Sequence, residues 1–164
     1  MTSLYSDQDL AASAFQILND LLGEIHAGRI VGWLALKTPS IFGTKHPQYL
    51  TRMAIGAIVI ALYKFEDLWN HQLLILLTDQ APPRGSNLIA QLKQMKVREF
   101  RSLFIAHYSG HKKFPKPAPS KLEDLIKAQG FATDEDLFIW TQDVLEILEE
   151  IRNSLQAKFK LEIQ

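Results

Sequence analysis

Arg101 and His107 lie six positions apart, and together they could cleave a phosphodiester without a metal. A guanidinium stays charged at any physiological pH and offers phosphate a planar fork. An unperturbed imidazole titrates near about pH 6.5, so it can take or give a proton. One group can stabilise charge on a phosphorane while the other moves a proton, and RNA cleavage needs no more than that in kind. The pair ends a helical pattern and precedes SGHKKFPKPAPS, a segment rich in Pro, Gly and Lys. Within that segment His111, Lys112 and Lys113 are candidate RNA contacts through charge, with Phe114 available for stacking. A solvated linker is the plainer reading of the same residues.

Spacing constrains how the pair could work. Six residues of regular helix advance about 9 Å and turn about 240° past the start, so Arg101 and His107 do not share a face. A long arginine side chain, a frayed helix end or a second subunit must bring them together. A two-fold dimer would set two such pairs near its axis. Both residues also have structural roles open to them. Arg101 could pair with an acid on a neighbouring helix, and His107 could sit at a helix C-terminus, where a donor or cation is favourable.

The elements that must position these residues are all helical. Ser6 with Asp9 reads as a capping box. Leu10, Ala14, Phe15, Leu18, Leu21, Leu22 and Ile25 follow at the three-four spacing of one buried face. That pattern runs to about Thr38, where Pro39 stops it. Gly23, Gly28 and Gly32 either weaken this helix or let a neighbour come close.

A second pattern runs from Gln48 to about Thr78, apolar almost all round in its first half, as a central helix would be. DQAPPRGSN, Asp79 to Asn87, is a break, with RGSN read as a turn and helix cap. A third helix is predicted from about Asn87 to His107. Ser120 and Glu123 open a short helix that Gly130 closes, and Thr133 with Asp136 opens the last one. No strand pattern competes. The expected architecture is all-α: one domain over 1–164, an up-and-down bundle of four long helices plus one short helix.

Composition narrows the function classes. A formal net charge of +0 argues against a broad footprint for duplex DNA or anionic membrane, while leaving room for a local basic patch. The absence of cysteine excludes disulfides, thiolate catalysis and cysteine zinc sites. MTSLYSDQDL lacks the blocks of a signal peptide. The longest apolar run, Met53 to Tyr63, is bracketed by Arg52 and Lys64 and falls short of the roughly 18 to 20 residues that span a bilayer. A cytoplasmic location without membrane association is the expectation.

KVREFRSLFIAHYSGHK resembles the conserved helix of the HEPN superfamily (higher eukaryotes and prokaryotes nucleotide-binding), whose signature is Arg, four to six residues, then His. Ala106 before His107 is similar to the branch found in bacterial abortive-infection systems. AIVIALYKFEDLWNHQLLILLTD upstream and DLFIWTQDVLEILEEIRNSL downstream extend the likeness over about Gly56 to Asn153.

The resemblance implies a helical bundle that dimerises and cleaves RNA with no metal and no cofactor. His107 would be general base on the ribose 2′-OH, or acid for the leaving 5′-oxygen, and Arg101 would stabilise the scissile phosphate. Products would be a 2′,3′-cyclic phosphate and a 5′-OH. It further implies a toxin or anti-phage effector restrained by an antitoxin or other protein partner. Two departures stand. Ser102 follows the arginine where the family usually carries Asn, Asp or His, and Tyr108 adjoins His107 instead of lying two residues on. Both suit the rival reading, a non-catalytic interaction or nucleotide-binding module.

Other constellations carry less. His107 and His111 have the spacing of a helical metal pair, but Gly110 interrupts the helix and no acid lies nearby in sequence. Asp67 and His71, four apart, predict an ordinary side-chain hydrogen bond in preference to a ligand pair. No Glu-x-x-His repeat or phosphate-binding Gly-Lys-Ser/Thr loop is present. Trp33, Trp69 and Trp140 fall in helical patterns as core or interface residues.

Overall fold

Helix α1 (Asp7–Lys37) begins where the sequence says it should. The Ser6 hydroxyl accepts from the Asp9 backbone N–H at 3.2 Å, and the Asp9 carboxylate accepts from the Ser6 N–H. These reciprocal bonds satisfy two donors that a helix start otherwise leaves orphaned. The same Ser6 groups hold the Asp9 carboxyl below the ordinary carboxylate range, the side-chain bond contributing most. The helix ends at Thr38, whose N–H and hydroxyl both donate to the Leu34 carbonyl. A computed structural model describes residues 6–38, 46–78, 81–99, 101, 127 and 130–161.

Helix α2 (His46–Leu68) lies against α1 and is buried over a wide arc, from Ala54, Ile55 and Ile58 to Leu62, Phe65 and Leu68. It passes into a π turn, Trp69–Leu73, and one last α turn, Leu74–Leu76. Helix α3 (Pro83–Gln94) buries Leu88, Ile89 and Leu92. Helix α4 (Asp134–Phe159) starts at a second capping box, Thr133 with Asp136. The four long helices form an all-α bundle, with no strand among the described residues.

Cross-helix contacts give the directions. Gln8 donates to the Phe159 carbonyl, while Lys37 at the other end of α1 meets Glu135 at 2.9 Å. Helices α1 and α4 are therefore antiparallel. Glu24 pairs with Lys64 at 2.7 Å and Gly28 lies against Ala54 and Ile58, so α1 and α2 are antiparallel too. Gly85 of α3 touches Trp69 and Ile151, joining α3 to both neighbours.

Two glycines of α1 serve close approach. At Gly32 a side chain would collide with the Phe138 ring, and at Gly28 a Cβ would meet the Ile58 side chain and the Ala54 carbonyl. Gly23 has open space around it, so it weakens the helix without a packing return. Trp69 is buried. Trp33 and Trp140 are half-buried and meet Phe138 and Phe131 at tilted angles of 43° and 51°.

Three expectations need correction. Helix α3 begins at Pro83 instead of Asn87, because proline at the first helical position loses no bonded N–H and brings the right φ. RGSN is thus helix, not turn. The predicted run to His107 breaks at Lys96, which takes a left-handed φ of 51°. A new turn at 97–99 follows and buries Val97. The second pattern is not one regular helix, since the π turn interrupts it. Of the short helix expected from Ser120, only Lys127 and Gly130 are described; Gly130 has a φ of 89°, as a helix-closing glycine would.

Candidate functional site

Arg101 follows the turn that Lys96 opens. Its guanidinium carbon lies 4.4 Å from the centroid of the Tyr63 ring on α2, and that of Arg98 lies 5.7 Å from the same centroid. The two arginines are three residues apart, the spacing of neighbours on one helical face. An ion pair is one structural role open to Arg101, and among the described residues no carboxylate pairs with it.

Tyr63, Asp67 and His71 follow at intervals of four along α2 and into its π turn. Asp67 Oδ1 stands 3.5 Å from His71 Nε2 and 3.8 Å from Arg98 Nη2. Asp67 and His71 are therefore neighbours, at a separation longer than the hydrogen bond expected of them, and Arg98 joins them to the tyrosine. The resulting cluster sets one guanidinium and an imidazole beside the Asp67 carboxylate, with the Arg101 guanidinium across the Tyr63 ring. Nearby, Lys96 and Glu99 offset each other at 3.8 Å. The chain is neutral as a whole, and the described residues of this cluster are Lys96, Arg98 and Arg101 beside Asp67 and Glu99.

Two irregularities of backbone adjoin the cluster. A left-handed lysine costs about 1–2 kcal/mol relative to a right-handed one, and such strain persists only where surroundings over-determine it. Here burial of Val97 opposes it, and the redirected chain carries Arg98 and Arg101 to Tyr63. On the other side, π turns within helices are common at functional sites. This one holds Gln72, whose Oε1 is buried with no hydrogen-bond partner, while Asn70 donates to the Glu66 carbonyl.

The other candidates of the sequence, His107, His111, Lys112 and Lys113, lie outside the described residues. Tyr63 and Arg98 are the site residues that sequence reasoning missed. Their only signal was an aromatic on the central helix and an arginine three positions before Arg101. Glu146 and Glu150 of α4 share one partner on α3, since Arg84 reaches Glu146 at 3.7 Å and Glu150 at 3.6 Å. Among the described residues no group of three His, Asp or Glu could hold a metal ion, and no helix is long and apolar enough to cross a membrane.

A second surface is apolar. Val31 and Leu34 on α1, with Tyr49 and Met53 on α2, are exposed. Helical spacing puts them on the side of the α1–α2 pair marked by the Glu24–Lys64 bridge, with the exposed Ala27 and Ala57 between. No family model matches the chain, and no curated protein or solved structure matches it either.

Proposed function

We propose that the protein is a HEPN-like, metal-independent endoribonuclease in which Arg101 holds the scissile phosphate and His107 takes the proton from the ribose 2′-OH. The observation that carries this reading is the state of Arg101. Its guanidinium rests on an aromatic ring and is not neutralised by a described carboxylate. A ring engages the face of a guanidinium and leaves its N–H edge for phosphate oxygens, which it can bind in bidentate fashion. A structural arginine would more usually spend that edge on an acid.

The nucleophile is the 2′-oxygen, so RNA is the substrate and DNA is not. Attack on phosphorus expels the 5′-oxygen and leaves a 2′,3′-cyclic phosphate. Such an enzyme, acting as a toxin or anti-phage effector, needs restraint by an antitoxin or other partner protein. The test is cleavage of end-labelled single-stranded RNA in EDTA by wild type, Arg101→Ala and His107→Ala. Cyclic-phosphate products from wild type alone support the reading. No cleavage of any RNA, tRNA included, by folded wild type overturns it.

The apolar strip supports a second reading, a helical module that assembles with a second copy of itself. The strip at Val31, Leu34, Tyr49 and Met53 carries no charge and ends at a mutually neutralised Glu24–Lys64 pair. A two-fold mate presenting the same strip would bury it without stranding a charge. Such a dimer is also what the nuclease reading requires.

A further inference from the structure

The exposed face that α1 and α2 share is uneven in bulk. Val31, Leu34, Tyr49 and Met53 crowd one end of it, where α1 finishes and α2 begins. Toward the other end the exposed residues are small, Gly23 and Ala27 on α1 and Ala57 on α2. Space around Gly23 is open enough that an added Cβ would touch nothing. We infer that a second copy closes this face, related by a two-fold axis that runs across the helices over Val31 and Met53. Helix α1 then lies antiparallel on α1 of the mate, and α2 on its α2. This inference rests on the reading of the protein as a self-assembling helical module, and it gives that assembly a register.

Spacing selects the register. The Glu24–Lys64 bridge and the approach of Gly28 to Ala54 and Ile58 put Leu34 level with Tyr49, and Ala27 level with Ala57. Ala27 and Leu34 fall on opposite sides of Val31, while Ala57 and Tyr49 fall at equal distances on opposite sides of Met53. A two-fold over Val31 and Met53 therefore lays each Leu34 on the mate's Ala27 and each Tyr49 on the mate's Ala57. Facing surfaces fill space when large and small residues alternate across them. The other possible two-fold runs along the helices. It would set Leu34 against the mate's Tyr49, bulk on bulk, and leave a gap at the Gly23 end.

Charge agrees with the same arrangement. Between Glu24 and Lys37, α1 has one residue of fixed charge, Arg29, which turns away to donate to the Phe138 carbonyl. The antiparallel register brings Glu24 level with the mate's Lys37, so opposite signs stand at both margins of the face. From Gly23 to Leu34 the face is about 17 Å long and two helices wide, so two copies bury on the order of 1,000 Å². That lies at the lower bound for a specific interface, and the dimer it holds is reversible.

The chain has no cysteine, so introduced cysteines report the register without background. Ala27→Cys, Leu34→Cys, Tyr49→Cys, Ala57→Cys and, as a control on α4, Ile139→Cys all fall at exposed positions, and circular dichroism checks the fold of each. Variants are mixed in pairs, oxidised mildly and run on non-reducing gels, with sedimentation of the wild type alongside. Disulfides need Cα atoms within about 7 Å of each other. Ala27→Cys with Leu34→Cys, and Ala57→Cys with Tyr49→Cys, should lose their monomer bands to a cross-linked dimer, while each variant alone keeps its own. Cross-linking of Leu34→Cys with Tyr49→Cys instead would overturn the register and leave the module reading standing. A dimeric wild type with none of these cross-links would do the same, by placing the contact on another face. Cross-linking of Ile139→Cys as readily as the rest would reduce the result to random collision and overturn the inference. A monomeric wild type overturns the module reading and this inference together.

Discussion

The Arg101 guanidinium lies 4.4 Å from the centre of the Tyr63 ring, on a different helix and 38 positions away in sequence. A ring contact of this kind is worth about 0.5–1 kcal/mol where it is exposed, enough to bias a side chain without consuming its hydrogen-bonding edge.

Tyr63→Leu keeps the apolar bulk and removes the ring. Cleavage of RNA should fall by roughly two- to five-fold, in line with the loss of that contact, whereas Arg101→Ala should abolish it. Thermal melting should change little in either, because Tyr63 is only half-buried and Arg101 pairs with no described acid. Equal, severe loss of fold in both variants would assign the contact to structure alone.

Gly32→Ala places a methyl group in the Phe138 ring, where α1 and α4 meet. Denaturant unfolding should show a loss of about 1–3 kcal/mol, the range for overpacking a filled core. Gly23→Ala is the opposite case, with open space around it and no positive φ. It should gain up to about 1 kcal/mol, the helix-propensity difference between the two residues.

Leu34→Glu puts a charge in the middle of the exposed apolar strip. Sedimentation should show the wild type as a dimer and the variant as a monomer at the same concentration, with helicity unchanged. A monomeric wild type would show that the strip is not an interface between copies.

The Asp9 carboxyl is held below its ordinary value of 3.8 by the Ser6 hydroxyl and N–H. A depressed carboxyl contributes stability above its unfolded value and loses it as pH falls through the folded one. Asp9→Asn should therefore melt below wild type at neutral pH. The gap should close on acidification below pH 3.8, a comparison that paired thermal melts make directly.

Much of the scaffold is legible along the chain because its rules close within a few residues. Ser6 with Asp9, and Thr133 with Asp136, each complete their bonds inside one turn, so both helix starts are read correctly. The stripes Leu18, Leu22, Ile25 and Val144, Leu148, Ile151, Leu155 follow from helical periodicity and are buried as it requires. The end of α3 is different. No Gly or Pro marks Lys96, and local propensity continues the helix through it. What turns the chain there lies elsewhere: a core that takes Val97, and a tyrosine on α2 that takes two arginines.

The same division holds for the site. Residue types alone single out Arg101 as a cation able to meet phosphate, since guanidinium chemistry belongs to the side chain wherever it sits. Whether that cation is spent on an acid depends on which helix packs against it, and periodicity says only that some helix does. Packing of α2 against the turn at 97–99 supplied a ring and, among the described residues, no carboxylate. It also drew Asp67 and His71 into the same cluster, residues whose sequence spacing promised no more than a hydrogen bond with each other.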